Sequence, residues 1–305
     1  MISIRNLSVS FDGQAAVVDN LSLDIEKDKI TAVIGESGSG KSVTICALLG
    51  ILPKEAQVQG SAMLGEIDLL ALSEKEMNIL RGKTIGYVPQ GGGNSMHPLL
   101  TVGTQIAEPI AVHQKVKKRD ALQIASDWLD KVGLKPAKKI AGAYPHTLSG
   151  GMKQRALIAM GMAGGAEILL VDEPTKGLDR ERIEQIEELF KNLSGITILC
   201  VTHDLRFARN IADKICVMYG GEAVEFADTD SFFSEPKHPY SQMLLASLPE
   251  NGMACPDNFT PPIEEKSGCL FYHRCPSRIA SCTDEIQTIA AGNHQVRCCL
   301  YAAAN

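Results

Sequence analysis

The sequence predicts an α/β fold, a mainly parallel sheet covered by helices on both sides, and three features point to it. Continuously apolar runs, "KITAVIG", "EILLVDE" and "GITILCVTHD", alternate with amphipathic stretches, as strands buried on both faces do. A Gly-rich loop, Gly35–Ser42, lies between one of these runs and an apolar helical stretch. Two acids, Asp172 and Glu173, end another run, at the carboxyl edge where open α/β sheets bind ligands.

The elements follow in chain order. The opening "MISIRNLSVSF" alternates apolar and polar residues like a strand and lacks the unbroken apolar core of a secretory leader. A turn at Asp12-Gly13 leads to "LSLDI" and "KITAVIG" as further strands. "SVTICALLGIL" is a helix that Pro53 stops. From about residue 94 to 165 the pattern is mostly helical. There "KRDALQIASDWLDKVGL" spaces Leu122, Ala125, Leu129 and Val132 at helical intervals before Gly133. The longest apolar run, Ala156–Val171, is interrupted by Gly161, Gly164, Gly165 and Glu167 and falls short of the roughly 20 residues that span a bilayer. Between "EILLVDE" and "GITILCVTHD" lies the helix "RERIEQIEELFKNL", with Ile183, Ile186, Leu189, Phe190 and Leu193 on one face. The turn-rich "SEPKHP", Ser234–Pro239, reads as a boundary. The rest, up to Asn305, holds six of the nine cysteines and reads as a separate small lobe.

With 305 residues, 45% hydrophobic and 22% charged, the chain can bury a full core and has room for more than one subdomain. A formal net charge of −6 argues against nucleic acid as a main partner. The basic run "KVKKR", Lys115–Arg119, reads as a solvated helix end. With no leader and no span, the chain is expected in the cytoplasm, where clustered cysteines are more often metal ligands than disulfides.

The chemistry starts at "GESGSGKS", which fits G-x-x-x-x-G-K-[ST] after a strand and before a helix. The glycines let the loop N–H groups turn inward, and the helix start adds partial positive charge. Lys41 then reaches β- and γ-phosphates, and the Ser42 hydroxyl ligates Mg²⁺. In "ILLVDEP", Asp172 is placed to hold Mg²⁺ through water and Glu173 to polarise an attacking water. His203, in "CVTHD", ends a strand near the same edge and can contact the γ-phosphate, although a lone histidine is more often structural. "LSGGMKQRALIAM", Leu148–Met160, opens a helix with Ser149, Gly150 and Gly151 and offers a second anion site. Two such helix starts in one chain suggest a head-to-tail dimer in which each completes the partner's site.

In this order the motifs resemble the ATP-binding cassette of ABC transporters over residues 1 to about 235. "GESGSGKS" is similar to the Walker A loop, "LSGGMKQR" to the signature, "ILLVDE" to the Walker B strand and "THD" to the switch histidine. "YVPQ", ending at Gln90, resembles the Q-loop, and "KGLD", ending at Asp179, the D-loop. The resemblance implies a phosphate-loop parallel-sheet core, an N-terminal antiparallel β subdomain and a helical signature subdomain at about 94–165. Phe11, Gly35, Ser37, Gly38, Gly40, Lys41, Ser42, Val43 and Asp172 would bind ATP. Ser42 and Gln90 would hold Mg²⁺, and Glu173, His203 and Gln90 would be catalytic. Ser149, Gly150, Gly151 and Asp179 would act on the partner's ATP.

"GESGSGKSVT", "LRGKTIGYVPQ" and "SEPKHPYSQMLLASLP" resemble the peptide and nickel importer branch, whose extension reads G-C-x-F-x-x-R-C. Gly268, Cys269, Phe271, Arg274 and Cys275 match it within residues 236–305. The branch implies an ATPase that powers import of peptides, nickel or a metal–chelator complex from the cytoplasmic face of the membrane. Its partners would be two membrane permease subunits, an extracellular substrate-binding protein and a second, similar cassette. "SVT" resembles the first of two paired ATPases and implies a heterodimer, a homodimer being the alternative for the isolated chain. Gly91-Gly92-Gly93, Lys176-Gly177 and Cys299 depart from the family's usual residues. A soluble cassette ATPase with an iron–sulfur lobe, acting in regulation or on ribosomes or DNA, is the alternative function.

Cys269, Cys275, Cys282 and Cys298 are separated by five, six and fifteen residues, with no C-x-x-C pair, which disfavours a zinc ribbon. Four thiolates on irregular loops suit an iron–sulfur cluster, and the resemblance points to [4Fe–4S]. Zinc and plain reduced thiols are the alternatives. His273, Arg274 and Arg278 would offset the cluster's charge. Cys255 and Cys299 read as spares, and Cys46, Cys200 and Cys216 as core residues.

Overall fold

Alternation in the first strand builds the smaller of two sheets. A computed structural model describes residues 1–91, 95–251 and 268–304. Strand β1 (Ile2–Phe11) buries Ile2 and Ile4, then Leu7 and Val9. The switch from even to odd positions is a bulge: pairing with β2 (Val18–Ile25) shifts register between Ile4 and Leu7, with Asn6 at φ 51°. Later strands β4 (Ala56–Leu64) and β5 (Ile67–Asp68), which the sequence reading passed over, complete an antiparallel sheet in the order β2-β1-β4-β5.

The apolar runs form the second sheet. β3 (Ile30–Ile34) leads into α1 (Lys41–Leu48), shorter than the helix expected to reach Pro53. Gly50 stops it first. At φ 60° it closes a Schellman turn, with Gly50 N donating to Ala47 O and Ile51 N to Cys46 O, both 3.0 Å. After α2 (Glu74–Leu80) and β6 (Ile85–Val88) comes a helical layer: α3 (Val102–Gln114), α4 (Lys118–Lys131), α5 (Ala137–Ala141) and α6 (Gly150–Ala163). In α4 the buried stripe runs Ala121, Ala125, Ser126, Leu129, and Leu122, expected inside, is exposed. Helix α6 is apolar nearly all round and is buried accordingly.

β7 (Ile168–Asp172) and β8 (Thr197–Thr202) are buried at every residue and flank α7 (Arg180–Asn192), which buries Ile186, Leu189 and Phe190. Each fully buried Leu or Ile here stabilises the sheet by about 1.5–3 kcal/mol. Helix α8 (Leu205–Ile211), β9 (Lys214–Tyr219), β10 (Glu222–Asp228), α9 (Thr229–Ser234) and α10 (Pro239–Ala246) follow. Strands β9, β3, β8, β7 and β6 run parallel in that order.

The last strands correct the expectation of a separate lobe. β11 (Ile289–Ala291) and β12 (His294–Val296) form a hairpin whose β12 pairs antiparallel with β10, extending the main sheet to eight strands among the described residues. A buried pair fastens this edge: His294 Nδ1 lies 2.6 Å from Glu225 Oε1. Glu225 also accepts the N–H groups of Lys237 and His238, so its buried carboxylate is well supplied with donors. Phe271 is fully buried against Tyr219 and Tyr240. The cysteine-rich segment thus packs on the sheet through Leu270, Phe271 and Cys275, and among the described residues it keeps a small cluster of its own around Cys282, Ile286 and Cys299.

Candidate functional site

The phosphate-type loop leaves β3 at the carboxyl edge of the sheet. Two of its glycines are sterically required. A Cβ on Gly35 would lie 2.2 Å from Met218 O, and one on Gly40, at φ 92°, would lie 2.6 Å from Val17 O. Lys41 opens α1 and is buried; its Nζ donates to the carbonyls of Gly35 and Glu36, both at 2.8 Å. Burial lowers the Lys41 pKa, an effect opposed by the charges of Glu173, Asp172 and Glu36. Ser42 Oγ donates to Asp172 Oδ1 at 2.9 Å, tying loop to β7. Burial raises the Asp172 pKa despite that bond. A carboxylate so desolvated is primed for a cation.

Glu173 follows at φ 49°, a left-handed conformation that a residue with a side chain adopts at a cost. Its N–H is fixed to Val201 O at 2.9 Å, and its Oε2 lies 2.6 Å from His203 Nδ1. Lys41, Ser42, Asp172, Glu173 and His203 are therefore gathered at one edge by β3, β7 and β8. Ser37 and Gly38 form the exposed crest of the loop, and Val43 is half-buried behind it. Phe11, half-buried, ends β1 and packs on the smaller sheet's core. Gln90 is exposed, its carbonyl 3.4 Å from Ser95 Oγ. Gly92, Gly93 and Cys255 lie outside the described residues.

The other expected anion site stands apart from this one. Ser149 caps α6 by accepting Met152 N at 3.4 Å. Gly150 and Gly151 abut Leu178 and Arg182, and Asp179 caps α7 while pairing with Arg182 at 3.1 Å. Among the described residues no hydrogen bond or ion pair joins this group to the phosphate loop.

The sequence reading missed Glu36, Tyr240 and the reach of Arg274. Arg274 forms a two-pronged pair with the Glu36 carboxylate, and Glu36 N donates to Tyr240 Oη. These partners are 204 and 238 residues apart, and no local signal marks them.

The thiols need a correction. Cys282, expected as a cluster ligand, is joined in a disulfide to Cys299, expected as a spare. Their Cα atoms lie 5.8 Å apart, within bridging reach. Cys269, Cys275 and Cys298 remain thiols, each with its pKa raised by burial. Among the described residues no group of three or more His, Cys, Asp or Glu side chains is arranged to hold a metal ion, although Cys269, Cys275 and Cys298 lie near enough to one another for their charges to interact. Cys200 and Cys216 are core residues as expected, and Cys46 is half-buried.

Comparison with known proteins bears on this geometry. The family model described as ABC transporter matches residues 18–176, and that described as oligopeptide/dipeptide transporter, C-terminal region, matches 224–282. The dipeptide transport ATP-binding protein DppD of Bacillus subtilis (strain 168) is 38% identical over 98% of this chain and 94% of its own length. The oligopeptide transport ATP-binding protein AppD of the same organism is 35% identical over 99% and 97%. A solved structure, the ATP-binding cassette MJ0796 as a dimer in a post-hydrolysis state with ADP and Pi, superposes with TM-score 0.67 at 27% identity. It covers 75% of this chain and 99% of its own.

Proposed function

The chain belongs to the ABC transporter family of ATPases, with the C-terminal region of its oligopeptide/dipeptide transporters, and from that premise we propose that it powers peptide import. The observation that carries the site is the joining of Lys41, Ser42, Asp172, Glu173 and His203 at one sheet edge. On this reading Lys41 exchanges its loop carbonyls for β- and γ-phosphate oxygens of ATP, and the loop N–H groups at Gly38, Gly40 and Ser42 cradle the rest. Mg²⁺ supplies charge neutralisation to the phosphates when bound. Ser42, Gln90 and Asp172 are its protein partners, Asp172 through water. Glu173 accepts the proton of the attacking water and His203 orients it and meets the γ-phosphate. Phe11 supports adenine, with Ser37, Gly35 and Val43 completing the pocket.

Hydrolysis should fall by about two to four orders of magnitude in Glu173→Gln, with ATP binding kept; measured turnover at the wild-type rate would refute the assignment.

Among the described residues no helix is long and apolar enough to cross a membrane. By its similarity to ATP-binding proteins of peptide transport, we assign this chain the peripheral, cytoplasmic position beside two permeases served by an extracellular binding protein. The motif group Ser149, Gly150, Gly151 and Asp179 acts on the ATP of a second cassette, a heterodimeric partner by the "SVT" resemblance. The dimer of MJ0796 supports this arrangement. Residues 1–235 form the cassette in this scheme and 236–305 the extension. Peptide transport is favoured over nickel by the names of the similar proteins. A [4Fe–4S] centre on Cys269, Cys275, Cys282 and Cys298 fits only a chain in which the Cys282–Cys299 bond is reduced. Iron and acid-labile sulfide per chain, after anaerobic purification, decide it.

A further inference from the structure

Glu36, the second residue of the phosphate loop, is held from outside the cassette motifs. Arg274 Nη1 and Nη2 donate to Glu36 Oε2 and Oε1 at 2.9 and 2.8 Å. Such a fork fixes direction as well as distance. The Arg274 side chain is only 14% exposed, and its guanidinium stands 5.6 Å from the ring centres of Tyr219 and Phe271. Tyr240 Oη accepts the Glu36 N–H at 2.9 Å from the opposite segment of the extension. The carbonyl of the same Glu36 accepts from Lys41 Nζ at 2.8 Å. One residue thus connects the extension, through three separate atoms or groups, to the lysine that the reading above aims at phosphate.

We propose that Arg274, with Tyr240, is a positioning residue for ATP: the extension sets the conformation of the loop's first limb, and thereby the affinity for Mg·ATP. The inference rests on the ATPase reading. Free of these anchors, Glu36 belongs to an exposed loop crest whose peptide planes can rotate. An ordering cost is then charged against each binding event. Anchored, the loop binds nucleotide already shaped.

The test is a double-mutant cycle in the full-length chain, Arg274→Gln, Glu36→Gln and both, carried in Glu173→Gln so that Mg·ATP persists during titration calorimetry. Each single change should weaken Mg·ATP binding roughly tenfold, as loss of one charge-assisted pair does, and the double change no further than either alone. Arg274→Lys should recover part of the loss. Melting temperatures without nucleotide separate this from unfolding; Glu36→Gln probes the same pair from the loop side if Arg274→Gln folds poorly. Unchanged affinity in a folded Arg274→Gln chain, or losses that simply add, would overturn the proposal while leaving the ATPase reading intact. Failure of the parent chain to bind Mg·ATP would overturn both.

Discussion

Asp172 shows at the scale of one residue how a site works against its own fold. Its carboxyl is buried and its pKa is raised, chiefly by desolvation. A carboxyl whose pKa is higher folded than unfolded binds more protons in the native state. Its contribution is greatest at low pH and is lost as pH rises through the folded pKa, so at neutral pH the ionised side chain destabilises the empty site. Asp172→Asn should therefore melt at or above the wild-type temperature at pH 7 without nucleotide, while Mg²⁺-dependent ATP binding falls. Calorimetric melts with and without Mg·ATP check both halves; a clear loss of stability in the empty variant would contradict the account. This is the usual exchange of stability for a charge placed where a cation is needed.

At the scale of elements, α10 depends on a histidine at its N-terminus. His238 is buried, its Nδ1 accepts Tyr240 N at 3.0 Å, and Pro239 occupies the first helical position. Burial lowers the His238 pKa from 6.5 to about 4. The unfolded chain therefore takes up a proton near 6.5 that the folded chain refuses. This part of the stability is complete above that pH and is lost as pH falls toward 4, by up to about 3 kcal/mol. His238→Asn keeps an acceptor for Tyr240 N and does not titrate. Its melting temperature should fall less steeply than wild type between these pH values; parallel profiles would refute the assignment. The elements the sequence revealed were those with one strong cue: β3, β7 and β8 by unbroken apolar runs, α7 by its stripe, the loop by its glycines. Those it hid depend on partners far along the chain. β4 fully buries only Ala62 of its nine residues, β12 is three residues long, and the end of α1 turned on Gly50 three residues before the more visible Pro53.

The whole molecule explains why one half of the predicted machinery was found assembled and the other was not. Lys41 opens the helix after β3, Asp172 ends β7, and Glu173 and His203 follow β7 and β8, so three parallel strands adjacent in the sheet bring them together. Ser149 and Asp179 cap α6 and α7, and among the described residues no hydrogen bond or ion pair joins them to the phosphate loop. Ser149→Arg should accordingly leave Mg·ATP affinity of the isolated chain within about twofold, because surface substitutions remote from a site are near neutral. Turnover in the assembled transporter should be lost. Weakened binding by the isolated chain would instead place Ser149 in its own site. The cysteines were legible as a C-terminal group but not in their pairing, since a bridge depends on Cα separations that sequence spacing does not give.

The hairpin β11–β12 covers the flank of β10 and takes up its hydrogen-bonding groups. During synthesis β10 is complete roughly 70 residues before Val296 leaves the ribosome, at about 5–20 residues per second. For those seconds the nascent chain carries a bare strand able to pair with another chain. A nonsense mutation or proteolytic nick upstream of the hairpin would make that interval permanent, leaving a species prone to aggregate even though every ATP-binding motif had already been translated.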